Sequence, residues 1–258
     1  MRRFFHELYE YREMLKSLVR KDLKTRYKGS VLGFLWTFIN PLMQLAIYAL
    51  IFPYLMRVQE KNYAMFMFVA LLPWIFFSTS LQSSTECIVE NYNLVKKIYF
   101  PRQVLPLSVA TGGLVNYIYG LLVVLAGLLI AQINITVYIL YLPLILLILY
   151  VAVSGFCLML SALNVYVRDL EHIVNIVTMA WFYATPIVYP FDMLPQWLQN
   201  ILVFNPMTPM ILSFRDILYY GTAPNLQHLL IAGCEAIVIF VAGVYIFNAL
   251  EKGFAEEI

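Results

Sequence analysis

The chain has 258 residues, 62% of them hydrophobic and 12% charged, with a formal net charge of +2. Soluble domains carry roughly 45–50% apolar and about 25% charged residues, so a water-soluble fold is excluded. At about 20 apolar residues per membrane-spanning helix, the length holds roughly six spans with short loops and no separate soluble domain.

The N-terminal segment places Phe4, Leu8, Tyr11, Leu15 and Leu18 at helical spacing, with Arg12, Lys16, Arg20 and Lys24 off that stripe. The pattern predicts an amphipathic helix in the membrane interface, its apolar face in the acyl boundary and its cations near anionic headgroups. Cations stop at Lys28, and no charge recurs until Arg57. The apolar run between them, about Val31–Met56, exceeds the roughly 7–15 residues of a cleaved signal core, so a retained anchor is expected.

Five further runs are expected to span: Ala64–Thr85, Val104–Ala131, Val137–Val165, Ile173–Val188 and Leu229–Leu250. They are too long for barrel strands and lack barrel alternation, and buried backbone must bond internally, so each is read as a helix. With the N-terminus inside, the inner face holds the basic N-terminal segment, Lys96, Lys97, Arg102, Arg168 and Lys252. The outer face then holds Arg57, Lys61 and Arg215, an asymmetry that predicts both termini to be cytoplasmic. Gly112, Gly113, Gly120, Gly127, Ser154, Gly155 and Ser161 mark places where helices can approach closely in lipid.

Two loops stand out. The inner loop from Asn91 to Pro101 joins Lys96 and Lys97 to Leu94, Ile98, Tyr99 and Phe100, a mixture suited to docking in a partner's groove. An ordinary positively charged turn is the plainer alternative. Arg168 and Asp169 occupy a second inner loop. On the outer side, residues 189–227 contain two apolar pieces, about Leu194–Phe204 and Met207–Tyr220, broken at Asn205-Pro206. Each is too short to span and too apolar for a solvated loop. Two short re-entrant helices before the last span fit best, and helices lying flat on the surface are the alternative. The expected fold is an all-α integral membrane protein of six transmembrane helices with an N-terminal amphipathic interfacial helix and those re-entrant helices.

Ionisable groups within the spans are few, which argues against ion-driven transport. Glu235 is the exception; a charge at a helix centre costs roughly 2.5–3.5 kcal/mol on insertion scales, so it requires a partner, a hydrated lumen or a proton. Cys87, Cys157 and Cys234 lie far apart and read as packing residues rather than a disulfide framework or metal site. His6, His172 and His228 are scattered between the two sides, against a membrane-embedded transferase.

Four stretches, KDLKTRYKGSVLGFLWTFINPL, NYNLVKKIYFPRQVLPL, NVYVRDLEHIV and LPQWLQNILVFNPMTPMILSFRDILYYG, share an order and spacing with one family. The chain resembles the membrane subunit of ABC-2 type polysaccharide exporters, which move O-antigen, capsule and teichoic acid polymers, over essentially its full length. The resemblance implies a single transmembrane domain over 1–258. Its parts would be an interfacial helix (1–29), spans one to five (30–188), an outer re-entrant hairpin (189–227), and span six with a cytoplasmic tail (228–258).

The resemblance also implies a homodimer in the bacterial cytoplasmic (inner) membrane, paired with two copies of an ABC ATPase subunit. A lipid-linked glycan such as O-antigen would be the substrate; membrane lipids are the other partners and nucleic acid is not one. No G-x-x-x-x-G-K-[ST] occurs, so ATP and Mg are expected on the ATPase; this chain binds no cofactor and is a transport subunit rather than an enzyme. Asn91, Leu94, Lys96, Lys97, Ile98, Arg168 and Asp169 become the candidate ATPase-coupling residues. A sliding sugar polymer suits aromatic walls with polar handles, making Tyr48, Trp74, Phe77, Tyr117, Trp181 and Tyr183, with Glu235, candidates for the channel. Trp197, Phe204, Arg215 and Tyr219 are candidates for an outer gate. An ABC-2 small-molecule exporter and an ion-coupled secondary transporter are the remaining alternatives.

Overall fold

The structure is a computed structural model and describes residues 2–25, 32–56 and 60–257. The expectations placed on residues 26–31, Lys28 among them, and on Arg57 lie outside the described residues. Among the described residues no strand occurs and twelve α-helices follow one another.

The N-terminal stripe forms α1 (Arg2–Glu10) and α2 (Arg12–Thr25), with Tyr11 between them. Tyr11 N–H donates to Glu7 O, and Leu15 N–H to Tyr11 O, so helical bonding carries across the junction. On the polar side, Lys16 Nζ donates to Glu13 Oε1 at 2.8 Å. That bond holds the Glu13 carboxyl below its usual range. Phe4 is buried, and Leu8, Tyr11, Leu15 and Leu18 pack against the cluster it shares with Ile88, Leu105 and Phe247. The expected apolar face is therefore the one that meets the bundle, with Phe4 buried and Leu8, Tyr11, Leu15 and Leu18 half-buried. A cluster of aromatic and aliphatic ends lies within reach there, and each contact removes apolar area from water as lipid would.

After α3 (Trp36–Met56) comes α4 (Tyr63–Glu90), which is about 42 Å long at 1.5 Å per residue. It overshoots a hydrocarbon core of about 30 Å, and the excess carries its end to the short α5 (Tyr92–Lys97). Helices α6 (Val104–Ile130), α7 (Leu142–Tyr166), α8 (Leu170–Tyr183), α9 (Gln196–Leu202) and α10 (Met207–Arg215) follow, then α11 (Leu226–Leu250) and α12 (Phe254–Glu257). Four segments are long and apolar enough to cross a membrane: Tyr63–Glu90, Val104–Ile130, Val137–Tyr166 and Leu226–Gly253. The pair Gln196–Leu202 and Met207–Tyr220, bent by 105° at its break, makes a fifth if counted as one broken span. Helix α8 stops at Tyr183, short of the expected Val188 limit, and at about 21 Å falls below the thickness of the core.

Helix α4 is the central post. Residues from Phe66 to Leu72 are all buried, as a helix apolar on every side must be when packed on every side. Helix α6 lies against it through glycines seven apart: a Cβ at Gly113 would meet Phe76 at 2.9 Å, at Gly120 Leu72 at 2.6 Å, and at Gly127 Met65 at 3.0 Å. Helices α7 and α11 cross backbone on backbone. A Cβ at Gly155 would lie 2.6 Å from Phe240 Cα, and one at Gly243 would overlap the Gly155 carbonyl oxygen. Lipid offers no hydrophobic drive between apolar helices, so van der Waals contact between close backbones holds this crossing.

The half of the bundle that holds α9 and α10 is tied together by two polar hubs. Arg215, 1% exposed, donates through Nη1 to Pro186 O at 2.5 Å, through Nη2 to Ile187 O at 2.6 Å and through Nε to Phe66 O at 3.3 Å. Nη1 also reaches Tyr189 O at 3.4 Å, and the guanidinium lies 3.6 Å above the Phe66 ring. Asn205, at the break between α9 and α10, uses its whole amide. Oδ1 accepts from Trp181 Nε1 at 2.8 Å and Met207 N–H at 3.1 Å, while Nδ2 donates to Ala184 O and Thr185 Oγ1. A π-helical turn, Asp216–Tyr220, extends α10 and closes on Gly221, whose φ of 66° is the left-handed cap that glycine adopts without strain.

Two stability predictions follow from these contacts. Gly243→Ala is expected to lower the detergent-solubilised melting midpoint, since forcing a methyl into a filled crossing costs about 1–3 kcal/mol. Gly233→Ala, on the same helix with nothing within 4 Å of its added Cβ, is expected to be neutral or to raise the midpoint slightly. Arg215→Lys is expected to fail like Arg215→Met, because an ammonium cannot match the planar fork that reaches four carbonyls. Recovery of monodisperse protein for Arg215→Lys in size-exclusion chromatography would refute that expectation.

Candidate functional site

A polar track runs beside α4. Between α3, α4 and α8 lies a cavity of about 280 Å³, and between α3, α4 and α6 one of about 420 Å³; Gln44, Ile75 and Thr79 border both. The smaller is edged by Ser78, Gln82, Asn175 and Thr178, the larger by Thr37, Asn40 and Asn116. Helical spacing explains the alignment: Thr37, Asn40 and Gln44 share one face of α3, and Ser78, Thr79 and Gln82 one face of α4. No residue lining either cavity carries a formal charge.

Local bonds fix part of this surface and leave part open. Thr79 Oγ1 donates to Ile75 O at 2.7 Å, and Thr178 Oγ1, bonded to Val174 O, accepts from Gln82 Nε2 at 3.1 Å. Asn116 Oδ1 is buried with no hydrogen-bond partner among the described residues. Aromatic rings wall the track. Tyr48 and Trp74 pack on Phe182 with centroids 5.7 and 5.8 Å away, and Tyr183 packs edge-on to the same ring. Amides and hydroxyls at these spacings exchange hydrogen bonds with a hydroxyl-rich guest, and ring faces supply shallow apolar contact.

The candidate channel residues separate into three sets. Tyr48, Trp74 and Tyr183 border the smaller cavity and Tyr117 the larger. Phe77 and Trp181 meet edge to face at 5.1 Å in the core, with the Trp181 indole committed to Asn205. Glu235 sits on α11 and borders neither cavity, its Oε2 buried without a hydrogen-bond partner. The amides Asn40, Gln44, Asn116 and Asn175 were not singled out from the sequence. Their signal was the presence of uncharged polar residues inside runs long enough to span.

At the outer end, Trp197 and Phe204 are exposed and Arg215 is interior. The Tyr219 hydroxyl donates to the Lys61 carbonyl and lies 3.4 Å from Glu60 Oε2; Tyr220 reaches Glu60 Oε1 at the same distance. Of these four, Arg215 and Tyr219 meet at the Phe66 ring, 3.6 and 5.5 Å from its centre.

At the inner end, Asn91 Nδ2 donates to Cys87 O and closes the end of α4 as α5 begins. Leu94 and Val95 turn inward onto the inner apolar cluster. Lys96, Lys97, Ile98 and Tyr99 face outward, Tyr99 being 92% exposed. Arg168 and Asp169 are also exposed, just before α8. The outward face of this loop is thus two lysines flanked by two large apolar side chains, with Leu94 as its anchor.

The comparisons with known proteins agree over nearly the whole chain. The family described as ABC-2 type transporter matches residues 13–219. An O-antigen export system permease protein, RfbA of Myxococcus xanthus, is 38% identical, covering 100% of both chains. A Klebsiella pneumoniae protein of the same description is 37% identical over 95% of this chain and 94% of its own. The polysialic acid transport protein KpsM of Escherichia coli is 21% identical over 92% of this chain and 93% of its own. The chain belongs to the ABC-2 type transporter family and is a multi-pass membrane protein acting as a transport subunit.

Proposed function

We propose that this chain is the membrane subunit of an ATP-driven exporter that moves a lipid-linked polysaccharide of the O-antigen kind across the bacterial cytoplasmic membrane. The carrying observation is the uncharged amide-and-ring track in a chain similar over its full length to O-antigen export permeases. A glycan presents hydroxyls and apolar C–H faces, which such a wall holds weakly enough to release. Capsule polymers are a related substrate, given the weaker likeness to the polysialic acid transporter.

In this reading α3, α4, α6, α7, α8 and α11 are the six spans, with both termini cytoplasmic. The turn after α8 completes the fifth span, and α9 with α10 forms a re-entrant pair from the outer face. Exposed apolar residues Met43, Ile47, Leu50 and Tyr54 on α3, and Ile173, Ile176 and Met179 on α8, support a second copy facing the track. Two ATPase subunits, which carry ATP and Mg, would dock beneath. Tyr99, Lys96 and Lys97 on the outward side of the α5 loop would meet them, together with Arg168 and Asp169.

Gln44→Leu combined with Asn116→Leu is expected to lower surface glycan by roughly tenfold with normal membrane insertion, as loss of specific polar contacts does in other sites. Wild-type glycan display, measured by immunoblot of intact cells, would remove the track from the path. Lys97→Glu with Tyr99→Ala is expected to abolish co-purification of the ATPase while leaving the chain in the membrane. Export that persists after collapse of the ion gradient with ATP intact supports ATP coupling, whereas its loss would favour the secondary transporter.

A further inference from the structure

The last described residues form a structure of their own at the inner face. Helix α11 ends at Leu250, a 3-10 turn covers Glu251–Gly253, and α12 folds Phe254 back into the bundle. Phe254 is fully buried. Its ring meets Phe247 edge to face at 5.6 Å and Tyr166 at 6.3 Å. Gly253 is where a side chain is excluded, since a Cβ there would collide with the Tyr166 hydroxyl.

Two polar bonds fasten the same segment to two different loops. A helix leaves its last carbonyls unbonded, and here Tyr166 Oη donates to Leu250 O at 2.8 Å, while Arg102 Nη1 donates to Glu251 O. The Arg102 guanidinium also lies 5.7 Å from the centre of the Phe254 ring. Arg102 stands in the connection between α5 and α6, and Tyr166 is the last residue of α7, before Arg168, Asp169 and α8. Helix α8 in turn borders the track with Asn175, Thr178, Phe182 and Tyr183.

We propose that Phe254, Arg102 and Tyr166 form a positioning strap that holds the two inner loops at a fixed separation, so that displacement of α5 by the ATPase is passed on to α8. The proposal rests on the exporter reading above and adds a mechanical route within this chain. A helix cap alone would need only one of the two donors. Here the donors come from separate loops, and a fully buried aromatic ring sits between them. The contacts form a continuous chain of packed and hydrogen-bonded groups, and substitutions along such a chain can change coupling between its ends.

The test uses the full complex with its ATPase, purified and reconstituted in proteoliposomes with lipid-linked glycan extracted from the source cells. Phe254→Ala is expected to keep ATPase association and ATP hydrolysis within about twofold of wild type. Glycan moved per ATP hydrolysed is expected to fall roughly threefold to thirtyfold, and Phe254→Leu to restore most of it. An unchanged ratio in Phe254→Ala overturns the strap, as does a parallel loss of association, hydrolysis and transport.

Tyr166→Phe removes one hydrogen bond without opening a cavity, and serves if Phe254→Ala fails to accumulate. A lowered transport-to-ATP ratio in that variant supports the strap, and a wild-type ratio overturns it. A wild-type chain that neither binds an ATPase nor moves glycan overturns the exporter reading and the strap together.

Discussion

The outer half of the protein depends on one buried cation. A guanidinium out of contact with water is costly, by several kcal/mol even after relaxation. Arg215 is nonetheless fully enclosed, held by the carbonyls of Phe66, Pro186, Ile187 and Tyr189 and by the face of the Phe66 ring. The requirement is mutual. The turn from Ala184 to Tyr189 leaves helical bonding, and backbone outside a helix is tolerated at membrane depth only where protein satisfies it. Three of the four carbonyls belong to that turn, so the arginine and the unwound backbone answer each other's unmet bonds. Asn205 repeats the device a few residues away, its amide joining Trp181, Ala184 and Thr185 to the start of α10.

This arrangement explains why α8 can be so short. Its outer end needs no further helical turns because Arg215 and Asn205 carry the connection to α10. The rings of Trp74, Phe182 and Tyr48 then meet beside its last turns. Helices α3 and α8 leave Asn40, Gln44 and Asn175 exposed, so part of the track opens at the surface of the chain, while the Asn116 carbonyl oxygen is buried.

Much of this was legible in the residues, for a physical reason. A period of 3.6 names the buried face of a helix, so the stripe Phe4, Leu8, Tyr11, Leu15, Leu18 is the one that packs. Glycine inside a span leaves few roles besides close approach, and Gly113, Gly120, Gly127 and Gly155 all serve it. Periodicity does not name the neighbour across the gap, so the stripe alone did not show that this face meets the cluster of Ile88, Leu105 and Phe247. Aromatic residues are ambiguous for the same reason: Trp74 borders a cavity and Phe77 does not, three residues apart on one helix. Arg215 looked like an outer-surface cation because its partners are backbone carbonyls, and carbonyls have no sequence signature.

The crossing of α7 and α11 has a mechanical consequence. Where backbone rests on backbone at Gly155 and Gly243, no flexible side chain lies between the helices to absorb sliding. A shift of one residue along either axis would bring Phe240, Phe156 or Val244 against the opposing chain. The two helices therefore behave as one plank, and motion within the subunit has to be taken up elsewhere. The link Val167–Asp169 joins that plank to α8, so a movement of the plank as one body reaches α8 through three residues.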